Sequence, residues 1–460
     1  MMRIVGRISL SLLIFAFISN AIFGAGEAAG NGENSPGFVE SFVETIDSAK
    51  KAVAPVPAAV VVGSDRDPGE TESDRREGTD AATAEEGSLK SFTPEVIDEI
   101  PQQKPPTEAE ESESAAESSI RERSSTLAMQ MLKWKIREAL AWHFEHPQKV
   151  TDRSPWGVMH AMLPYGVDSQ IIDANGRRQN AVGFLCYNYA ARGQRLFYLK
   201  DGKIAANIGP GLQGHRGQFL AMLAQSKIDP AYPMRIEGKP FKVSDLIEYE
   251  KFSCEAGTEL TFKLIAFSHY LPHDATWKNF QGEEWDFSRL IREELKQPVV
   301  GAACGGTHRM TGFSHAAHLH VKREQPLEGQ WLRASKYVDS YHDYAFTLQN
   351  RDGSFSTNWF ASRGELPDPG RRLQTGGHIL EWLVYSLPEE RLAEPQVVKG
   401  VEYIAGLLNE GHNTKWEIGP LGHALHALAL YDERMFGGKP GQRTLQLARE
   451  NRIPPKTQKK

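Results

Sequence analysis

From about residue 126 onward, the hydrophobic positions follow two alternating helical patterns. In the first, apolar residues recur every three to four positions, which predicts amphipathic helices over 129–146, 243–252, 287–296, 331–348 and 396–408. In the second, a glycine opens a more uniformly apolar stretch, at 154–163, 212–223, 255–267, 305–318, 375–387 and 420–430. A helix that is apolar on most sides is buried, whereas an amphipathic helix lies outside it. The alternation therefore predicts an all-α fold, an (α/α)6 toroid of about six helix pairs.

The second of the predicted helix pairs departs from this pattern. Residues 168–208 contain the dipeptides Asn175-Gly176 and Asp201-Gly202, which are typical of tight hairpin turns. We therefore expect a small β-hairpin excursion there in place of a regular outer helix.

Aligning the glycine-opened stretches brings one polar residue of each to an equivalent position. Successive separations from His215 to His423 are 44, 49, 70 and 45 residues, and a recurrence every few tens of residues is typical of repeat architectures. We expect parallel inner helices that start near Gly157, Gly214, Gly257, Gly306, Gly377 and Gly422. Their N-termini would gather His160, His215, Glu259, His308, His378 and His423 around one opening, which the helix dipoles would make favourable to polar or anionic ligands.

These residue types suit acid–base chemistry or ligand binding, because neutral imidazole accepts protons, binds metals and forms hydrogen bonds. We assign catalytic roles to Glu259, His308 and His378, and ligand-binding roles to His160, His215, His423, Trp382 and Glu381. The alternative is that each histidine caps its own helix. The cofactor stays unknown: a metal ion is compatible with the further histidines 315, 318 and 320, but no HExxH motif occurs.

The N-terminal part differs in composition from the rest. All nine Trp and all fifteen His follow residue 125, while residues 65–125 contain 18 acidic and 7 basic side chains. We predict a disordered acidic linker at 29–125, the toroid at 126–440 and a basic tail at 441–460.

Residues 1–28 combine Arg3 and Arg7, an apolar run and small residues, the order of a secretory signal peptide. The expected location is therefore the periplasm or the extracellular space. The alternative is an inner-membrane anchor formed by an uncleaved signal. No later segment has the roughly 20 apolar residues that a membrane span needs.

Cysteine and basic residues restrict the function classes. Cys186, Cys254 and Cys304 are far apart, and without a CxxC pair a structural zinc finger is excluded. We expect three buried thiols. The chain has no dense Lys/Arg stripe, so nucleic acid is not the expected partner.

One segment, AFTLQNRDGSF (345–355), resembles a known repeat. Gln349, Gly353 and Phe355 are similar to the glutamine–tryptophan repeat of the terpenoid cyclase and protein prenyltransferase superfamily, with Phe in place of the final Trp. The resemblance implies an α/α toroid. The chain carries neither the DxDD motif of proton-initiated cyclases nor the zinc-ligand motif of prenyltransferases. The whole chain also resembles secreted proteins of planctomycete-type bacteria.

Three functions stay open from the sequence. The first is an exported enzyme acting on a polar small molecule or a glycan, such as a glycan hydrolase or lyase, because these need a polar cleft with an acid/base pair. The second is a non-catalytic binding module or scaffold of the cell envelope. The third is a terpenoid cyclase-like or prenyltransferase-like enzyme.

Overall fold

A computed structural model describes the backbone of residues 108–438 and the side chains of residues 126–438. The predicted signal peptide, most of the predicted linker and the predicted basic tail lie outside these residues. The described part contains twelve α-helices: α1 (Glu108–Glu145), α2 (Pro155–Met162), α3 (Ala181–Cys186), α4 (Gln218–Gln225), α5 (Val243–Phe252), α6 (Thr261–Tyr270), α7 (Phe287–Glu294), α8 (Thr307–Lys322), α9 (Gly329–Thr347), α10 (Pro369–Ser386), α11 (Pro395–Glu410) and α12 (Ile418–Phe436). None of them is long and apolar enough to cross a bilayer.

The even-numbered helices contact one another in chain order. Helix α2 contacts α4, α4 contacts α6, and the succession continues through α8 and α10 to α12, which contacts α2 again. The odd-numbered helices α5, α9 and α11 each contact the even-numbered helices before and after them in the chain. The described chain is thus mostly helical, as the sequence predicted.

Four small sheets interrupt the helices. β1 (Gln148–Lys149), β2 (Gln170–Ile172) and β3 (Arg178–Asn180) form one, and three hairpins form the others: β4 (Phe197–Lys200) with β5 (Lys203–Ala206), β6 (Pro233–Ile236) with β7 (Lys239–Lys242), and β8 (Thr276–Lys278) with β9 (Glu284–Asp286). The expected excursion within 168–208 is confirmed, since β2–β3 and β4–β5 lie there. The hairpins before α5 and α7 were not predicted.

Two predicted helix starts are wrong. Helix α10 begins at Pro369, where the Asp368 side chain accepts a hydrogen bond from the Arg371 amide at 2.8 Å, so Gly377 lies in its middle. Helix α12 begins at Ile418, so Gly422 is likewise internal.

The internal glycines serve close packing between helices. A Cβ at Gly377 would lie 2.9 Å from the Cβ of Ala424, and a Cβ at Gly422 would lie 2.4 Å from the carbonyl oxygen of His160. Only glycine leaves room for such approach of two backbones. These glycines therefore bring α10, α12 and α2 close together.

The segment that resembles the glutamine–tryptophan repeat contains the end of α9 and the turn that follows it. The Gln349 Nε2 donates to the Gly353 carbonyl and to the Gln396 carbonyl, each at 2.9 Å. Gly353 has φ 91°, which glycine adopts readily. Phe355 is buried. The glutamine thus ties the turn after α9 to the start of α11.

Candidate functional site

The six aligned polar residues gather in one place. The ring of His308 has its centroid 5.4 Å from that of His215, 5.4 Å from that of His378 and 5.2 Å from that of His423. His378 lies 3.8 Å from His423, and His160 lies 5.4 Å from His423. We call these five residues the histidine cluster. Each is at most 6% exposed.

Backbone carbonyls orient two members of the cluster. The Nδ1 of His378 lies 2.7 Å from the Gln374 carbonyl oxygen, and that of His160 lies 2.8 Å from the Trp156 carbonyl oxygen. A carbonyl can only accept, so both Nδ1 atoms carry the proton and the neutral ring keeps its lone pair on Nε2.

Carboxylates orient two more members. His215 Nδ1 lies 2.6 Å from Glu259 Oε2, and His423 Nδ1 lies 2.6 Å from Glu381 Oε2. The second oxygen of Glu381 lies 2.5 Å from the Nδ1 of His426. Glu259 and Glu381 thus act first as orienting partners of imidazoles.

Both carboxylates have a lowered pKa. Burial raises the pKa of Glu381, but the charge and hydrogen bonds of His423 and His426 outweigh burial and set the pKa below its ordinary value. At Glu259 burial acts in the same direction and is outweighed by His215. Neither residue is therefore protonated at neutral pH, so neither can serve as the general acid that a two-carboxylate glycosidase needs.

His308 lies at the centre of the cluster. Neither of its ring nitrogens has a hydrogen-bond partner among the described residues, and the Nε2 atoms of His378 and His423 have none either. Burial and then the neighbouring histidines hold the pKa values of His308 and His378 well below the usual value. Burial is the larger cause at both rings, and His378 lies in the middle of α10, away from a helix N-terminus.

Cys304 joins the cluster from an unusual turn. Its φ of 49° is left-handed, and Gly305 and Gly306 follow with φ of 60° and 79°. A Cβ at Gly305 would lie 2.2 Å from Cγ of Trp359, which itself has φ 56°. Non-glycine residues in this region cost about 1–3 kcal/mol each and concentrate at functional sites.

Cys304, His308 and His378 each place one candidate ligand atom within 4.8 Å of the other two. All three residues are buried. This is the group of described residues whose geometry suits a metal ion. The prediction of three buried thiols is confirmed, but the sequence analysis gave Cys304 no role in the site. The spacing Cys304-x3-His308 is the signal that would have found it.

Trp382 does not belong to the cluster. It is fully buried, its indole nitrogen donates to Ser314 Oγ at 3.2 Å, and its ring stacks on His342 of α9. The ligand-binding role predicted for it gains no support from these contacts. Two other tryptophans lie beside the cluster: the ring centroid of Trp156 is 4.0 Å from that of His160, and that of Trp359 is 5.5 Å from that of His378.

The later histidines of α8 are separated from one another. His315 is buried against Tyr385, His318 is exposed, and the His320 Nε2 lies 3.1 Å from the Pro326 carbonyl oxygen. They are not brought together as metal ligands.

Solvent reaches the cluster beside Glu259, whose side chain is 23% exposed. The five histidines are far more enclosed. A long polymer could therefore not reach their ring nitrogens without rearrangement of the surrounding loops, whereas an ion or small molecule is of suitable size.

Comparison of the chain with protein-family models, with curated proteins and with solved structures found no match.

Proposed function

We propose that the described helices form a six-pair α/α toroid of an exported protein, and that its histidine cluster binds a small polar substrate and transfers protons to or from it. The observation that carries this proposal is the convergence of one His or Glu from each even-numbered helix, or from the turn before it, on one buried place. Export follows from the secretory pattern of residues 1–28.

The closed succession of contacts from α2 to α12 and back to α2 supports the toroid. The twelve described helices are the number that six helix pairs require. The turn around Gln349, Gly353 and Phe355 adds the resemblance to the terpenoid cyclase and prenyltransferase superfamily, for the fold alone.

Neutral imidazoles are the groups best suited to act on the substrate. Their low pKa values keep His308 and His378 unprotonated at neutral pH, and an unprotonated Nε2 can accept a proton. Because both carboxylates are ionised and paired, they orient the neighbouring rings of His215 and His423 instead of donating protons. Chemistry that begins with a histidine base, such as hydrolysis of a small ester or phosphate, thus fits better than glycan cleavage by two carboxyl groups.

A capping or scaffold role would keep the histidines apart. Four of them do have an Nδ1 partner, but the rings face one another, and three Nε2 atoms remain buried without a partner. Burying an unsatisfied polar atom costs about 1–3 kcal/mol. A purely structural cluster has no reason to retain several of them.

The test is a panel of small chromogenic substrates, namely p-nitrophenyl acetate, phosphates and glycosides, given to the full chain. We expect turnover of an ester or phosphate probe, and a loss of about 100-fold or more in His308→Gln and His378→Gln, because a general base contributes about 10²–10⁴-fold. His342→Gln is the matched control, since His342 is buried at 2% exposure outside the cluster.

The melting temperature of each variant separates function from stability. Turnover that survives in both cluster variants, or a panel on which the wild type is inactive, would contradict the proposal. Turnover of the glycosides alone would instead support glycan hydrolysis at this site.

A further inference from the structure

We propose that Cys304, His308 and His378 bind one divalent transition-metal ion of the zinc type. The inference rests on the proposed function and deepens it, since it names a cofactor for the same histidine cluster: with the ion bound, His308 and His378 would be its ligands and no longer bases, and His423 would be the imidazole left to contact the substrate. It also stands on observations of its own, which are the thiol, the orientation of the rings and the backbone of the turn that carries the thiol.

The donor set decides the class of ion. One thiolate and two imidazoles are the soft and borderline ligands that zinc takes, whereas calcium and magnesium prefer oxygen ligands. The candidate ligand atoms of Cys304, His308 and His378 lie within 4.8 Å of one another. In a tetrahedral zinc site with bonds of about 2.0–2.3 Å, the ligand atoms are about 3.3–3.8 Å apart. The distances between the three ligand atoms would therefore have to shorten by no more than about 1.5 Å.

The second nitrogen of a metal-binding histidine normally donates to a carbonyl or carboxylate, which fixes the ring and leaves the other nitrogen for the ion. His378 shows this arrangement, since Nδ1 donates to the Gln374 carbonyl at 2.7 Å and Nε2 is buried without a partner. His308 has two partnerless nitrogens, and one of them would be satisfied by the ion. The metal thus accounts for nitrogens that the described protein atoms leave unbonded.

The turn at Cys304 holds the thiol at this place. A left-handed cysteine followed by two left-handed glycines reverses the chain directly before α8, so that the Cys304 side chain lies beside the first turn of the helix that carries His308. Gly305 leaves the space that the Trp359 ring occupies. Strain of this kind persists where the surrounding structure enforces it.

His423 lies next to the three ligands but outside the set. Its ring is 3.8 Å from that of His378, and Glu381 holds its Nδ1. Three protein ligands leave a coordination position for water or substrate, which is the pattern of catalytic and not of structural zinc. His423 would then be the neighbouring imidazole that hydrogen-bonds the group in that position.

The experiment is metal analysis of the full chain, purified under reducing conditions, stripped with a chelator and reloaded with zinc or with cobalt(II). We expect about one zinc per chain, and a cobalt form whose near-ultraviolet spectrum shows a sulfur-to-cobalt charge-transfer band. Cys304→Ser should lose that band, and both Cys304→Ser and His378→Gln should bind zinc at least about 100-fold more weakly.

Two controls keep the outcome specific. Cys254→Ser changes another buried cysteine, away from the cluster, and should keep both the zinc and the band. His423→Gln should keep the zinc, because His423 is not a ligand. Equal zinc binding by wild type and Cys304→Ser, or no zinc on the folded wild type, overturns the assignment.

The two proposals fail separately. Zinc bound as expected, with no turnover of any chromogenic probe, would leave the metal site standing and remove the proposed function. Turnover that depends on His308 in a chain that binds no zinc would leave the function standing and remove the metal.

Discussion

Acidification from pH 7 to pH 5 is expected to remove about 6 kcal/mol from the free energy of unfolding through three buried histidines alone. Burial lowers the pKa of His143 and of His315 to about 3 and that of His342 to about 4. Each is less than 10% exposed. In the unfolded chain the same rings take up protons below about pH 6.5.

The sign follows from the difference in bound protons. Between about pH 6.5 and 4 the unfolded state binds protons at these rings and the folded state does not, so stability falls as the pH falls. At pH 5 each ring contributes a loss of about 2 kcal/mol. His308 and His378 act in the same direction, because burial lowers their pKa values too. Since whole domains are stable by about 5–15 kcal/mol, this loss is a large share of the total free energy of unfolding.

The measurement is urea unfolding at pH 7, 6 and 5, followed by tryptophan fluorescence. The midpoint should fall steeply while the slope with urea stays constant. His342→Gln should reduce the pH dependence of the free energy of unfolding by up to about 1.4 kcal/mol per pH unit, which is the contribution of one bound proton. A midpoint that is unchanged between pH 7 and pH 5 would show that these rings are not held neutral.

Glu250→Ala is expected to destabilise the domain by about 3–5 kcal/mol. The Lys263 ammonium is fully buried and donates to the Glu250 carboxylate at 2.5 Å, to the Glu250 carbonyl at 2.7 Å and to Ser253 Oγ at 2.7 Å. Removal of the carboxylate leaves a buried charge without its counter-charge. The pair joins the end of α5 to α6, directly after the turn that carries Glu259, so the variant should also disturb the site.

The same helix offers the matched control. Glu248 pairs with Lys251 in the same chemical combination, but its side chain is 68% exposed. Glu248→Ala should change the free energy of unfolding by no more than about 0.5 kcal/mol. The double variant Glu250→Leu with Lys263→Met should recover much of the loss, because it leaves no buried charge. Equal effects of Glu250→Ala and Glu248→Ala would contradict this account.

The helical pattern of the chain could be predicted because amphipathic helices and uniformly apolar helices differ in how their apolar residues are spaced. Helix starts were harder. Gly377 and Gly422 were interpreted as the beginnings of helices, yet they lie inside α10 and α12, where they allow two helices to touch. A glycine selected for close packing has the same sequence signature as one selected for a turn.

The cluster itself followed from the repeat alignment, because the aligned positions of the glycine-opened stretches lie close together in the structure. Cys304 did not follow from it, since its place depends on three successive left-handed residues that no periodicity records. Trp382 was predicted to bind the ligand, but it packs against Ser314 and His342. It is one residue after Glu381, and on a helix one step turns the side chain by about 100°, away from the cluster.

The hairpins before α5 and α7 turn at Glu237-Gly238 and Gln281-Gly282, with φ of 50° at Glu237 and of 79° and 77° at the two glycines. Asn and Asp are the residues that favour the first left-handed position of such turns. Glu237 therefore gave no clear signal in the sequence, and in the second hairpin the left-handed residue is Gly282 alone.

The histidine cluster is, in this account, retained for function and not for stability. The most direct test is the free energy of unfolding of the His308→Leu variant, measured on chelator-treated protein. Both ring nitrogens of His308 are buried without a partner, and each such atom costs about 1–3 kcal/mol. We expect the leucine variant to be more stable than the wild type by at least about 1–3 kcal/mol, the cost of one such atom. A variant that is less stable by a similar amount would show that His308 holds the fold together, and the claim would be wrong.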